Sequence, residues 1–198
     1  QKYSYDLVKR LQNVRYSNGY SMGFQYDSFN RLTSYYNNYV YDYFKTSFVY
    51  GTGASAASKK GLIYGVKVND AQKLTYTYDG LARLSRKNIT GTANNYAMNY
   101  SYVNGTGNKT STLLASVQNG ADTLSYTYDK NGNIETISKN GVLQVKYYYD
   151  KLNQVWREDN EVLQKTIYYG YDVGGNITGK YTWDLFYADG PSSAPLTT

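Results

Sequence analysis

A tyrosine–aspartate pair recurs along the 198-residue chain at a nearly constant interval, and this repeat limits the possible fold more than any other feature. Self-similarity at a fixed period of about 20–50 residues marks a chain built from repeated structural units. The tyrosines of six gap-free copies lie 21, 52, 50, 21 and 22 residues apart. The two long intervals each contain a degenerate copy, at Tyr50 and at Tyr102. The six pairs are Tyr5-Asp6, Tyr26-Asp27, Tyr78-Asp79, Tyr128-Asp129, Tyr149-Asp150 and Tyr171-Asp172.

The residues that follow each pair predict a tight β-turn. An aspartate at the head of a turn accepts hydrogen bonds from backbone N–H groups two residues on. A type I turn followed by a left-handed residue is a common three-residue hairpin connection. Lys9 and Ala82 stand at the left-handed position in two copies, where we expect a different turn or mild backbone strain. The other four copies carry residues that tolerate this conformation, namely Asn30, Gly132, Asn153 and Gly175.

Asparagine-led pairs mark the opposite end of the predicted hairpins. Asn-Gly between two β-type runs is the strongest short-range hairpin signal. Asn-Gly or Asn-Asp pairs begin eight or nine residues before a repeat tyrosine, at Asn18, Asn69, Asn119 and Asn140. Each unit of about 21 residues is therefore predicted to run strand, turn, strand, turn.

Alternation of residue types predicts the two faces of each strand. Leu74, Tyr76 and Tyr78 alternate with threonines, a pattern typical of a strand with one packed and one solvated face. The predicted fold is all-β, an antiparallel β-meander that forms a long twisted, curled sheet. We assign residues 1–187 to this sheet and residues 188–198 to a C-terminal linker or frayed tail.

Composition argues against several kinds of function. The chain has no Cys and no His, and its carboxylates are spread along the sequence, so we expect no catalytic residues, no metal site and no cofactor. A net charge of +6 is carried by scattered residues, which does not predict nucleic-acid binding. No apolar run reaches the roughly 18 residues that a membrane-spanning helix needs.

The YD-x-x-G/N-R/N-L/I unit resembles the YD-repeat, or Rhs-repeat, family over residues 3–181. That family includes bacterial Rhs toxins, wall-associated proteins of Gram-positive bacteria, the C component of insecticidal Tc toxins and the shell of animal teneurins. The resemblance implies a β-sheet that spirals into a hollow shell, which encloses a toxin domain where one follows. It further implies a secreted or cell-surface bacterial scaffold without catalytic activity.

The resemblance also implies the partners. These are the neighbouring repeats of the parent chain and a toxin domain of the same parent protein. The sequence begins within a repeat at Gln1, so we expect it to be a piece of a longer chain. Unpaired backbone groups at the sheet edges would favour edge-to-edge self-association.

A carbohydrate- or cell-wall-binding module is the alternative function. Exposed aromatic rings with a polar tip can stack on sugars. The candidate platform comprises Trp156 and Trp183, with Tyr148 and Tyr168 added because they fall off the main alternation. The competing interpretation is that these rings pack within the sheet, and their solvent exposure distinguishes the two.

Overall fold

The computed structural model describes residues 1–39, 42–51, 61–91, 95–105, 110–187 and 194–196, and these residues form strands joined by turns. Hydrogen-bonded neighbours are consecutive along the chain, from the first strand to the sixteenth. Among the described residues there is no helix long and apolar enough to cross a membrane. The strands are β1 (Lys2–Tyr5), β2 (Leu11–Arg15), β3 (Ser21–Tyr26), β4 (Leu32–Tyr39), β5 (Asp42–Tyr50), β6 (Ile63–Val68), β7 (Ala71–Tyr78), β8 (Leu84–Thr90), β9 (Asn95–Asn104), β10 (Thr110–Asn119), β11 (Asp122–Tyr128), β12 (Ile134–Lys139), β13 (Val142–Tyr149), β14 (Val155–Asn160), β15 (Lys165–Tyr171) and β16 (Ile177–Asp184).

The chain divides into two compact units, Gln1–Asn99 and Tyr100–Thr198, and β9 contains the boundary. In the first unit β1 to β8 pair antiparallel in succession. In the second unit β10 to β16 do the same. The prediction of an all-β antiparallel meander is therefore confirmed.

The four asparagine-led pairs lie at hairpin turns, but only two of them form a two-residue turn at the predicted place, and Asn18 lies in a longer turn between Arg15 and Ser21. Asn140 and Gly141 both have positive φ, as do Asn69 and Asp70, which is the two-residue type I′ hairpin. The third predicted turn lies one residue later than expected, because Asn119 pairs with Asp122 and the turn residues are 120 and 121. Asn119 therefore ends β10 and its glycine neighbour, with φ 61°, opens the turn.

Deep burial of apolar side chains is rare among the described residues. It is confined to Val14 in the first unit and to Ile167 and Trp183 in the second. The expected contrast between a packed and a solvated face is correspondingly weak, since Leu74 and Thr75 are both half-buried on opposite faces of β7. Hydrogen bonds and contacts between neighbouring side chains therefore hold most of the strands of each unit together.

The predicted C-terminal tail falls largely outside the described residues, since only 194–196 of residues 188–198 are described. The last strand ends at Asp184, three residues before the predicted end of the sheet. Residues 185–187 follow this strand and contact one face of the sheet, as described below.

Candidate functional site

All six tyrosine–aspartate turns have the same backbone geometry. The aspartate N–H donates to the carbonyl four residues on, at 2.9–3.0 Å, and the residue three positions on donates back to the aspartate carbonyl. That residue has positive φ in every copy, including Lys9 at 65° and Ala82 at 63°. The predicted turn is confirmed, and the two exceptional residues adopt it at the cost of left-handed strain.

Each repeat aspartate uses its carboxylate to hold the turn. Oδ1 accepts the N–H two residues on at 2.8–3.0 Å. It also accepts the N–H four residues on at 2.9–3.0 Å. The backbone N–H of Arg10 thus helps hold the pKa of Asp6 below its ordinary value. In Asp172 the side-chain amide of Asn176 is the main cause of a lowered pKa.

The hydroxyl of the repeat tyrosine joins each repeat to the preceding one. In every such bond it donates to a backbone carbonyl of the preceding hairpin, and we call this contact the tyrosine latch. Tyr149 pairs with Val155 across its own turn while its hydroxyl reaches the Ile134 carbonyl. Burial raises the pKa of Tyr149, so its hydroxyl stays protonated and able to donate. The latches are Tyr26 to Leu11 (3.0 Å), Tyr50 to Leu32 (2.8 Å), Tyr78 to Ile63 (2.6 Å), Tyr128 to Leu114 (2.8 Å), Tyr149 to Ile134 (2.8 Å) and Tyr171 to Val155 (2.8 Å).

The latch identifies Tyr50 as a true repeat position. Its copy lacks the aspartate, yet its hydroxyl bonds the Leu32 carbonyl as the other repeat tyrosines do. A register shift directly before Tyr50 also matches the shift before Tyr26 and Tyr78. Sequence reasoning missed the latch, although the use of tyrosine and never phenylalanine at this position was a signal for it.

Neighbouring turns are also bonded to each other. Arg10 donates to Asn30 Oδ1 at 2.8 Å and to the Asp27 carbonyl at 3.1 Å, and its guanidinium lies 4.7 Å from the Tyr26 ring centroid. In the second unit Asn133 donates to Asn153 Oδ1 at 2.9 Å. The repeat residues are therefore engaged with backbone or with the next turn.

The four aromatic residues proposed as a sugar platform lie together in the second unit. Ring centroids are 5.9 Å apart for Tyr148 and Trp156, 5.4 Å for Trp156 and Tyr168, and 5.2 Å for Tyr168 and Trp183. A bulge explains why they share a face: Tyr148 pairs with Arg157 and Tyr149 with Val155, so Trp156 is the extra residue. Trp183 is 9% exposed, and the other three rings are half-buried.

A buried ion pair occupies the centre of this aromatic cluster. Arg157 and Asp159 side chains are each 3% exposed, with Nε and Oδ1 2.8 Å apart. The guanidinium lies 5.0 Å from the ring centroids of Tyr148 and Phe186. Buried charges are costly unless paired, and here the partner and the rings supply the compensation. Sequence analysis missed both charged residues, because alternation alone gives no sign that a charge is covered.

The acidic side chains of the described residues are dispersed or engaged in turns. No group of three or more His, Cys, Asp or Glu side chains is placed there to hold a metal ion. The six repeat aspartates are engaged by turn N–H groups, as described above.

Comparisons with known proteins support the fold. No protein-family model matches the chain, and no curated protein matches it. A solved structure of TcdB2-TccC3 is similar to it with a TM-score of 0.70 and 13% sequence identity, over 89% of this chain and 10% of that chain. The chain thus spans about a tenth of that protein's length. This likeness confirms, at the level of fold, the resemblance to YD/Rhs-repeat sheets.

Two further solved structures resemble the chain with TM-scores too low to support an argument. One is TcdB2-TccC3-Cdc42, with a TM-score of 0.37 and 14% identity, over 92% of this chain and 15% of that chain. The other is a porin-like protein from Bacteroides uniformis, with a TM-score of 0.38 and 11% identity, over 87% of this chain and 86% of that chain.

Proposed function

We propose that the chain is a non-catalytic structural scaffold, a segment of β-shell wall in a secreted or cell-surface bacterial protein. Its partners are the adjoining repeats of the parent chain and a C-terminal toxin domain that the wall encloses or presents. The observation that carries the proposal is the tyrosine latch, which repeats from hairpin to hairpin.

The chemistry of the repeat residues supports a scaffold over a catalyst. A carboxylate that accepts two backbone N–H bonds holds a turn, and a lowered pKa keeps it ionised at neutral pH. Acid–base catalysis at neutral pH needs the opposite, a carboxylate whose pKa is raised toward 7. The fold likeness to TcdB2-TccC3 adds support from an independent direction.

The proposal is tested in the complete gene product that contains this sequence. If the repeats form a protective wall, a C-terminal domain resists added protease until the wall is weakened. Asp150→Ala removes two turn hydrogen bonds from the wall and should speed cleavage of that domain. Lys151→Ala, on the same turn with an exposed side chain, is the matched control. Equal cleavage of the domain with and without Asp150→Ala would contradict an enclosing wall.

A carbohydrate-binding surface is the second candidate, because the four proposed platform residues do lie together. The burial of Trp183 argues for packing instead, since a stacking platform must reach solvent. The chain has only two tryptophans, Trp156 and Trp183, so tryptophan emission reports on this cluster alone. Titration with peptidoglycan fragments should leave the emission unchanged if the cluster is a packing core. A saturable shift would favour the sugar platform.

Edge-to-edge self-association remains a separate proposal. Strands β1 and β16 stand at the two ends of the strand order. Unpaired strand edges favour pairing with another chain. Light scattering over a range of chain concentrations tests it, and a constant monomer mass would contradict it.

A further inference from the structure

The segment after β16 crosses the face of the sheet that carries the aromatic cluster. The Leu185 N–H still donates to the Gln164 carbonyl at 3.0 Å, which extends the pairing of β15 and β16 by one step. The next residue, Phe186, contacts Thr166 on β15 and Arg157 on β14. We call residues 185–187 the strap.

The strap is held through the backbone of Phe186. Arg157 Nη2 donates to the Phe186 carbonyl at 2.8 Å. The Phe186 N–H donates to Thr166 Oγ1 at 3.2 Å. Thr166 has no exposed surface and Arg157 is 3% exposed, so both partners of the strap backbone are buried polar groups. Hydrogen bonds to a charged donor at such a site are stronger than neutral ones.

The Phe186 side chain is held by three groups. Its ring stacks on Tyr168 with an interplanar angle of 16° and meets Trp183 edge-on at 89°. The Arg157 guanidinium lies 5.0 Å from the Phe186 ring centroid, within the range of a cation–π contact. These contacts fit a planar aromatic side chain, and a smaller residue would leave part of the site empty.

The positive and negative charges of the site balance without the strap. Arg157 is paired with Asp159 inside the sheet, at 2.8 Å. A ligand carboxylate would therefore bring an unbalanced charge into a buried place, whereas a peptide carbonyl does not. The site thus fits a neutral, extended backbone with one aromatic residue. At its margin the Tyr187 hydroxyl donates to Glu161 at 2.9 Å.

We propose that Arg157, Thr166, Tyr168 and Trp183 form a binding site for an extended peptide segment with an aromatic side chain, and that Phe186 occupies it in cis. The site fixes the face of the sheet across which the chain continues after β16. A tethered ligand has an effective concentration in the millimolar range, so a free peptide competes poorly while the strap is bound. The proposal stands whether or not the chain serves as a shell wall.

The test uses the full chain with Phe186→Ala, and Phe29→Ala as the control. Phe29 also lies near an arginine, at 5.2 Å from Arg31, but it is 66% exposed on a turn. Phe186→Ala should shift the tryptophan emission to longer wavelength and speed hydrogen exchange of the strap amides at least about tenfold. Phe29→Ala should change neither.

The probe N-acetyl-Leu-Phe-Tyr-amide then tests recognition directly. It should bind Phe186→Ala chains at millimolar concentration and restore the tryptophan emission, and it should leave the unmodified chain unchanged. Failure of the probe to bind the Phe186→Ala chain would overturn the peptide site. If that variant does not fold, hydrogen exchange in the unmodified chain decides the question. A Phe186 amide that exchanges as fast as an amide in an unstructured peptide would overturn strap binding.

Discussion

Removal of a single tyrosine hydroxyl tests the latch with little change in shape. Tyr149→Phe keeps the ring and deletes the hydroxyl that donates to the Ile134 carbonyl at 2.8 Å. Tyr168→Phe is the matched change, because the Tyr168 hydroxyl is buried and has no hydrogen-bond partner in the described part of the chain. Both tyrosines are half-buried and belong to the second unit.

Only the change at the latch tyrosine should lower the free energy of unfolding. Loss of one intramolecular hydrogen bond costs about 0.5–1.5 kcal/mol net, and the Ile134 carbonyl is left without its donor. Because Tyr149 is half-buried and water can partly replace its hydroxyl, we expect Tyr149→Phe to destabilise by about 1 kcal/mol. A buried hydroxyl without a partner is itself unfavourable, so Tyr168→Phe should be neutral or stabilise by up to about 1 kcal/mol.

Urea unfolding followed by tryptophan emission measures both effects in the second unit, where the chain's two tryptophans lie. With a slope of about 1–3 kcal/mol per molar, a 1 kcal/mol loss moves the midpoint by roughly 0.3–1 M. A Tyr149→Phe midpoint equal to that of the unmodified chain would refute a stabilising latch. An equal loss from Tyr168→Phe would show that the ring hydroxyls act through some general effect and not through the latch.

Three further predictions concern the turns. Ala82→Gly should stabilise the first unit by about 0.5 kcal/mol because it relieves a left-handed alanine at φ 63°, whereas Gly132→Ala at φ 87° should destabilise the second by about 1 kcal/mol. Thermal unfolding checks both, and equal signs would contradict the strain argument. Asn140→Asp removes the hydrogen bond from Nδ2 to Asp122 at 3.0 Å and places two carboxylates side by side. The urea midpoint of the variant should therefore fall, and it should fall less in about 1 M salt because salt screens the repulsion. A salt-independent loss would point to a cause other than repulsion. Side-chain bonds from Asn133 and Asn176 lower the pKa of Asp129 and Asp172 below the ordinary 3.8. Their contribution to stability is therefore complete above pH 3.8 and lost as pH falls through the lowered folded-state values. Asp172→Asn, which cannot ionise, should show a smaller loss of urea midpoint between pH 7 and about pH 2, and an unchanged loss would contradict this role.

The turns could be predicted from sequence because their determinants are local. Asp150 and Asn153 are three residues apart, and both the hydrogen bonds and the left-handed φ of such a turn depend on that short stretch. The latch could not be predicted in this way. It joins Tyr149 to a carbonyl 15 residues away, and the bond forms only when two hairpins adopt one particular register.

The aromatic–arginine cluster shows a second limit of sequence reasoning. Two tryptophans were selected as possible sugar platforms, and two tyrosines were added because they departed from the main alternation; the structure brings all four together. The bulge that turns Trp156 onto this face belongs to the repeat turn, since the same register shift precedes Tyr26 and Tyr78. The contacts that cover Arg157 include Phe186, which is 29 residues further along the chain. Burial set by such distant contacts is invisible to a periodicity argument, which considers each strand alone.

Electron cryo-microscopy of the complete gene product tests the scaffold proposal most directly. The proposal predicts that these residues lie in a continuous wall, with the latch tyrosines bonded from hairpin to hairpin and a further domain of the same chain against one face. A map in which this segment forms an isolated sheet, with no domain enclosed or presented by it, would contradict the proposal.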